Sequence, residues 1–456
     1  MPSELEEALT TAGTVTPLIQ KQIDPVLLEY QRRYAPLLAL IPTKQWNSTQ
    51  YFFNRRVNRP DSGGVTDGGA RPIGNSTYEQ AVFNIRLFQA VGSVTGFAQT
   101  VTRDLVGDLR QIELDGTVTS MMWTLENCLI WGHDGATVAG QYPISTGLDY
   151  LVSNYVPGSG SNAYVNAQDM AGATFLLKYL DELIDLVETN AAMPIGSNYM
   201  FVMSPRMNSS VGQLLTNQQR FMAQPTMTAA GLNIPTYRDI PIGKTSFLSP
   251  RSSQMGTVTS ATATTTGTLA AATYLYQVSA VIARFGEIQA SAEVSQATTG
   301  STSTVTLTVA APANMPDGAS PILYKVYRTS GSTGTETLVG VVDAFDTTGV
   351  ATTSIIDTGT NLLTNSSGNT GPAAYQGGNT GLKPRGLAGA VTEDIYLVPR
   401  DSNFMVRPYT RDMQILPLAP TVSSPDSLPF AVLTDTCLAV RAPKYVGRLS
   451  RLVSNI

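Results

Sequence analysis

An α+β fold interrupted by an all-β sandwich is what this 456-residue sequence predicts, on three observations. Helical and strand periodicities alternate through residues 100–249 and return after residue 390. One long helical pattern runs from about Thr100 to Trp131. Between residues 251 and 380 the composition changes abruptly, to four basic and seven acidic residues in a stretch dense in Thr, Ser, Gly and Ala.

Taken in order, the first 49 residues read as an arm. Asp24-Pro25 starts a helix through a capping carboxylate and a first-turn proline, and Pro36 is expected to stop it. Residues 50–99 read as an extended β-hairpin loop, with strand patterns at 51–57 and 81–88 around a Gly-rich tip. An isolated two-stranded hairpin is marginal in water, so this one should lie on something else. The long helix would be a strut of roughly 45 Å, closed by Gly132 and weakened by Gly107 and Gly116. A second helix is expected from about Asp169 to Asn190, with Leu176, Leu180, Leu183, Ile184 and Val187 on one face. Then come the buried strand Tyr199–Met203 and a helix opened by Ser204-Pro205. In the altered stretch, period-2 strands at 274–281, Thr304–Val309, 323–328 and 337–342 joined by short turns describe a β-sandwich. Ordinary composition resumes near Asp394, so the sandwich is an insertion and the flanking segments should rejoin.

Composition bounds the function. Charged residues are 14% of the chain, against about a quarter in ordinary soluble proteins, which suits a surface buried against copies of itself. A net charge of -5 argues against a dedicated nucleic-acid binder, which needs a basic face. A container for nucleic acid is different, because tight binding to its wall would hinder release. No apolar run approaches the ~20 residues that span a bilayer, and the acidic start lacks a signal-peptide layout. The chain is therefore expected to be made in the cytoplasm and to act from there. Cys128 and Cys437 are too few for a disulfide framework and are expected to be buried structural thiols.

The order of elements resembles the tailed-bacteriophage major capsid proteins of the Hong Kong 97-type fold. Leu125-Glu126-Asn127-Cys128-Leu129-Ile130-Trp131-Gly132-His133-Asp134-Gly135 is similar to the end of their spine helix. Phe201-Val202-Met203-Ser204-Pro205-Arg206 is similar to a helix–strand passage of their axial domain, with 233–242 as the strand after it. Residues 438–448 are similar to the closing strand of their peripheral domain. The likeness covers nearly all of the chain outside 250–384. It implies an arm (1–49), an extended β-hairpin loop (50–99), the spine helix and peripheral domain (100–170), and a first part of the axial domain (171–249). The insertion (250–384) and the axial end with the closing peripheral strand (385–456) complete the chain.

That resemblance implies a major capsid protein, without enzymatic activity, cofactor or metal, that self-assembles into hexamers and pentamers of an icosahedral head. It implies packaged double-stranded DNA bound without sequence specificity, a portal, a possible decoration protein and residence in the virion after assembly in the host cytoplasm. A separate scaffolding protein is expected, because a 49-residue arm is too short to be a scaffolding region. An encapsulin-type nanocompartment shell and a glycan-binding surface protein are the alternatives. In the insertion, Tyr274-x-Tyr276-x-Val278 and Tyr324-Lys325-Val326-Tyr327-Arg328 resemble fibronectin type III or immunoglobulin-like domains, which implies an outward projection. Some family members crosslink their shells through a hairpin-loop Lys. Residues 45–177 contain no Lys, so a non-covalent shell is expected.

Catalytic patterns are weak. His133 is the sole histidine, and His133-Asp134-Gly135 follows a helix end, where a turn is the simpler account. Asp61-Ser62-Gly63-Gly64 resembles the serine motif of chymotrypsin-like proteases. Pro60 replaces its leading Gly, however, and the only His follows the Ser. The candidate site is instead the arginine set Arg55, Arg56, Arg59, Arg71 and Arg86. These either keep an exposed hairpin solvated or pair with carboxylates of a neighbouring subunit, for which the planar guanidinium is suited.

Overall fold

The computed structural model describes residues 36–455 apart from 61, 70–73, 107, 133–144, 154–165, 219–225, 228–232, 235, 249–253, 283–285, 311, 313–320, 346–349, 361–362, 366–382, 386–390 and 421–425. The helix expected over 24–34 and His133 lie outside the described residues. The first described element is a helix, α1 (Pro36–Leu40).

The hairpin is shorter than its predicted span. Strands Gln50–Asn58 and Thr77–Asn84 pair antiparallel. At Ile85, whose N–H reaches the Thr49 carbonyl at 2.9 Å, the chain changes sheets. Arg86–Thr95 then pairs along ten residues with Ser427–Thr436, in a six-stranded sheet that also holds 43–45, 405–409, 414–417 and 439–440.

The long helix is two helices, α2 (Gly96–Val106) and α3 (Leu109–Trp131). Asp108 restarts the second by accepting the Gln111 N–H at 3.2 Å, an N-cap that the helical pattern hides. The predicted stop at Gly132 holds, for a reason of space. Its φ is an ordinary −65°, but a Cβ there would lie 2.0 Å from the Ser145 carbonyl oxygen.

α3 is backed on one side by Phe88, Phe430 and Val432 of the first sheet, around its own Met121, Leu125 and Cys128. Its C-terminal end meets α4 (Leu148–Ser153) and a second six-stranded sheet, ordered 166–169, 447–452, 393–399, 199–203, 240–244, 236–237. Alternation along Tyr199–Met203 explains why the whole strand is buried. Tyr199, Phe201 and Met203 pack on α5 (Leu177–Ala191), whereas Met200 and Val202 face the cluster containing Trp131 and Leu148. α5 starts later than its pattern suggested, after a left-handed turn at Ala171 and Gly172, and Leu176 is its exposed N-cap. α6 (Pro205–Gln218) is capped by the Ser204 hydroxyl, which accepts the Met207 N–H at 3.0 Å. The closing strand expected over 438–448 is divided: Ala439–Val440 pairs with Met405–Val406 in the first sheet, and Gly447–Leu452 lies in this second sheet next to Glu393–Pro399, where Leu449 and Leu452 join the α5 cluster.

In the altered stretch, 258–263, 304–309, 354–357 and 363–365 make one antiparallel sheet. A second holds 286–287, 273–282, 321–329 and 337–343, with 294–297 on 273–282. Their facing side chains form a single apolar cluster, including Tyr276, Val278, Tyr324, Val326, Val305 and Leu307. The second sheet is buried on its other face too: Val281, Leu323, Tyr327, Leu338 and Val341 join the Trp131 cluster. The chain thus combines helices and sheets in an α+β arrangement.

Candidate assembly surfaces and the buried junction

The hairpin register sorts its side chains onto two faces. One carries Tyr51, Phe53, Phe83 and the Arg55–Glu79 pair, and it turns towards the chain's own body. Tyr51 is buried against Trp46, Phe53 stacks on Phe83 with centroids 6.0 Å apart, and Arg441 reaches the Tyr51 hydroxyl at 3.0 Å. Arg55 belongs to this inward face: it binds Glu79 at 2.9 Å and donates to the Arg441 carbonyl at 3.2 Å. The opposite face presents Phe52 beside Val82, and Arg56 lying over Tyr78, 5.5 Å from the ring centre. Tyr78 is 64% exposed.

Of the five candidate arginines, Arg56 and Arg59 are therefore exposed on the hairpin, and Arg55 is engaged within the chain. Arg86 is off the hairpin, half-buried in the first sheet opposite Thr436. Arg71 lies outside the described residues. The hairpin geometry gathers three of the five.

A second surface went unread in the sequence. On the outer side of the first sheet, Val91 pairs with Ala431, which pairs with Leu416, in a row across three strands. Val91 is 59% exposed, Leu87 stands four residues back on the same face of the strand, and Phe97 on the following helix is 75% exposed. The signal was present in residues 86–95, where apolar residues occupy both parities, as in a strand covered on both sides.

Where the sandwich meets the rest of the chain, three cations face three carboxylates out of water. Lys325 binds Asp149 of α4 at 2.6 Å and Glu287 at 2.9 Å. Arg448 binds Asp149 at 3.0 Å and Asp394 at 2.6 Å, and Arg385 lies 3.5 Å from Asp394. Tyr327 and Ser279 donate their hydroxyls to Glu287, at 2.8 and 2.6 Å. Lys325 and Arg385 also stand over Trp131, at 5.2 and 4.8 Å from its ring centre, and the indole N–H donates to the Phe247 carbonyl at 2.9 Å. Burial works against the Lys325 charge, but Asp149 and Glu287 outweigh it and raise its pKa. Burial likewise opposes the Asp394 charge, and Arg385 with Arg448 outweigh it and hold that carboxyl low.

Ser62 is exposed on the hairpin loop. Among the described residues no group of three or more His, Cys, Asp or Glu is placed to hold a metal, and no helix is long and apolar enough to cross a membrane. Both cysteines are buried, and burial pushes the Cys128 thiol up to about 12.

The sequence matches no protein-family description and no curated protein. The structure is similar to a capsid chain of a native GTA particle, over 98% of this chain and 100% of that one, at a TM-score of 0.50 and 10% identity. A chain of Mycobacterium phage Bobi follows at 0.46 and 10% identity, over 99% and 100% of the two chains. An encapsulin complex from Synechococcus elongatus gives 0.44 and 11% identity, over 98% and 97%. The fold is that of the capsid chain of the GTA particle.

Proposed function

We propose that this chain is a major capsid protein that self-assembles into the hexamers and pentamers of an icosahedral phage head around double-stranded DNA. The observation that carries the reading is the capsid fold, similar from end to end to the chain of a particle described as a capsid. The 1–49, 50–84, 85–170, 171–249, 250–384 and 385–456 segments serve as arm, extended loop, spine with peripheral domain, axial start, projecting immunoglobulin-like insertion, and axial end with the closing peripheral strand. The outer hairpin face, with Phe52, Val82, Tyr78 and Arg56, lies on the next subunit, and Arg56 and Arg59 pair with its carboxylates. Closed symmetry repeats each contact many times, so individually weak interfaces suffice. The role is structural and non-catalytic, and the virion is the place of action. Portal, separate scaffolding protein and decoration protein are the further partners this reading calls for.

Electron microscopy of particles purified after expression with the neighbouring genes tests it. Icosahedral shells containing nuclease-protected DNA are the expected result. Shells filled with a protein cargo instead would make the chain a nanocompartment subunit, and a chain that stays monomeric under all assembly conditions would sink the proposal.

A further inference from the structure

Two carboxyl groups meet at one rim of the sandwich. Glu336 precedes the Thr337–Asp343 strand, is fully buried, and has one oxygen, Oε2, with no hydrogen-bond partner among the described residues. Its other oxygen accepts the Gly334 N–H at 3.3 Å. Glu293 precedes the Val294–Ala297 strand and stands within hydrogen-bonding reach of the Glu336 carboxyl. The Thr333 hydroxyl donates to Glu293 Oε1 at 3.3 Å. Neither carboxylate has an ion pair among the described residues, in contrast to Asp149, Glu287, Asp357 and Asp394 of the same region.

Two acceptors facing each other, one of them dry, leave a lone pair with nothing to bind, and buried polar groups rarely stay so. A proton or a cation between them would satisfy both carboxyl groups. Burial, and then the adjoining Glu336 carboxyl, raises the pKa of Glu293, as happens when like charges share a site. We propose that Glu293, Glu336 and the Thr333 hydroxyl form a binding site for a divalent cation, Ca²⁺. The donors are all hard oxygens, with no nitrogen or sulfur, which selects against transition metals. They come from two strand ends and an exposed loop. Ca²⁺ accepts such irregular geometry, with water completing its shell from the open Thr333 side, whereas Mg²⁺ demands a near-ideal octahedron. The bound ion ties residues 330–336 to the start of the 294–297 strand.

The test is equilibrium dialysis of the full-length chain against Ca²⁺, with thermal melts in EDTA and in Ca²⁺. One Ca²⁺ bound per chain and a Tm that rises with Ca²⁺ are expected. Glu336→Gln and the less buried Glu293→Gln should each weaken binding by at least about tenfold. Glu336→Gln should also melt in EDTA no lower than the parent, because the like-charge contact is gone. Glu182→Gln, on the exposed side of α5, should bind as the parent does. A parent chain that binds no Ca²⁺, or binding that survives both substitutions at the pair, overturns the site and leaves a shared proton as the account.

Discussion

Lys325 shows how much one side chain can decide. It sits in a strand, Tyr324-Lys325-Val326-Tyr327, whose alternation reads as apolar inside and polar in water. The structure buries the lysine completely, because its face of the sheet is covered by Trp131 and α4. Removing one partner of a buried pair leaves uncompensated charge, at a cost of about 3–5 kcal/mol. Lys325→Met, which strands Glu287 and leaves Asp149 with Arg448 as its remaining cation, is expected to lose that much in chemical denaturation. A loss under about 1 kcal/mol would show the cluster to be dispensable. Gly286 makes a second case. Its φ is +81°, and a Cβ would stand 2.3 Å from both the Trp131 indole nitrogen and the Phe247 carbonyl oxygen. Gly286→Ala should therefore cost at least about 1 kcal/mol and perturb the Trp131 fluorescence.

Among the elements, α1 is held to α3 by one carboxylate. Glu126 accepts the Leu37 and Leu38 N–H groups at 3.1 and 2.8 Å, fully buried and without a counter-charge among the described residues. Burial raises its pKa to about 7, against the opposing pull of those two N–H groups. A carboxyl with a higher pKa folded than unfolded takes up a proton on folding. The cost of burying its charge is thus absent below about pH 4.3, grows as pH rises towards 7, and is complete above it. Glu126→Gln removes the charge and keeps one acceptor. It is expected to flatten the fall in stability between pH 5 and 7 and to gain roughly 2–3 kcal/mol at pH 8. Urea titrations across that range decide it; parallel profiles for parent and variant would refute the account.

The hairpin is the other element with a test of its own. Arg56→Ala with Arg59→Ala should lower shell yield several-fold and leave the chain's own Tm unchanged, because neither has an ion pair within the described chain. Light scattering during assembly, run at low and high salt, reads this directly. The double variant should also respond less to salt than the parent, because screening acts on the charges it lacks. Arg55→Ala belongs to a different experiment, since it also breaks the Glu79 contact inside the chain.

For the whole molecule, the sandwich is joined to the rest of the chain through one apolar face of its second sheet and a six-group charge cluster. It should therefore share one unfolding transition with the lobe beneath it. Two well-separated calorimetric transitions would show it to be an independent module. Purified shells boiled in SDS should run as single chains, since residues 45–177 offer no lysine for a hairpin crosslink.

The sequence by itself determined the α+β class, the β-rich stretch with its four main strands, the buried strand Tyr199–Met203 and the absence of a convincing catalytic motif. Each of these is written in local periodicity, composition or spacing, which a one-dimensional reading can follow. Tertiary structure alone decided that residues 86–95 leave the hairpin for another sheet and that 447–452 closes beside 393–399. It also placed Arg55 inward and Arg56 outward, and made Lys325 a buried counter-ion. Most of these outcomes depend on partners more than a hundred residues away in the chain: Ser427–Thr436, the Arg441 carbonyl, Asp149. Whether a charged side chain meets water or a carboxylate is settled by what packs on its face of the sheet, and local sequence does not record that.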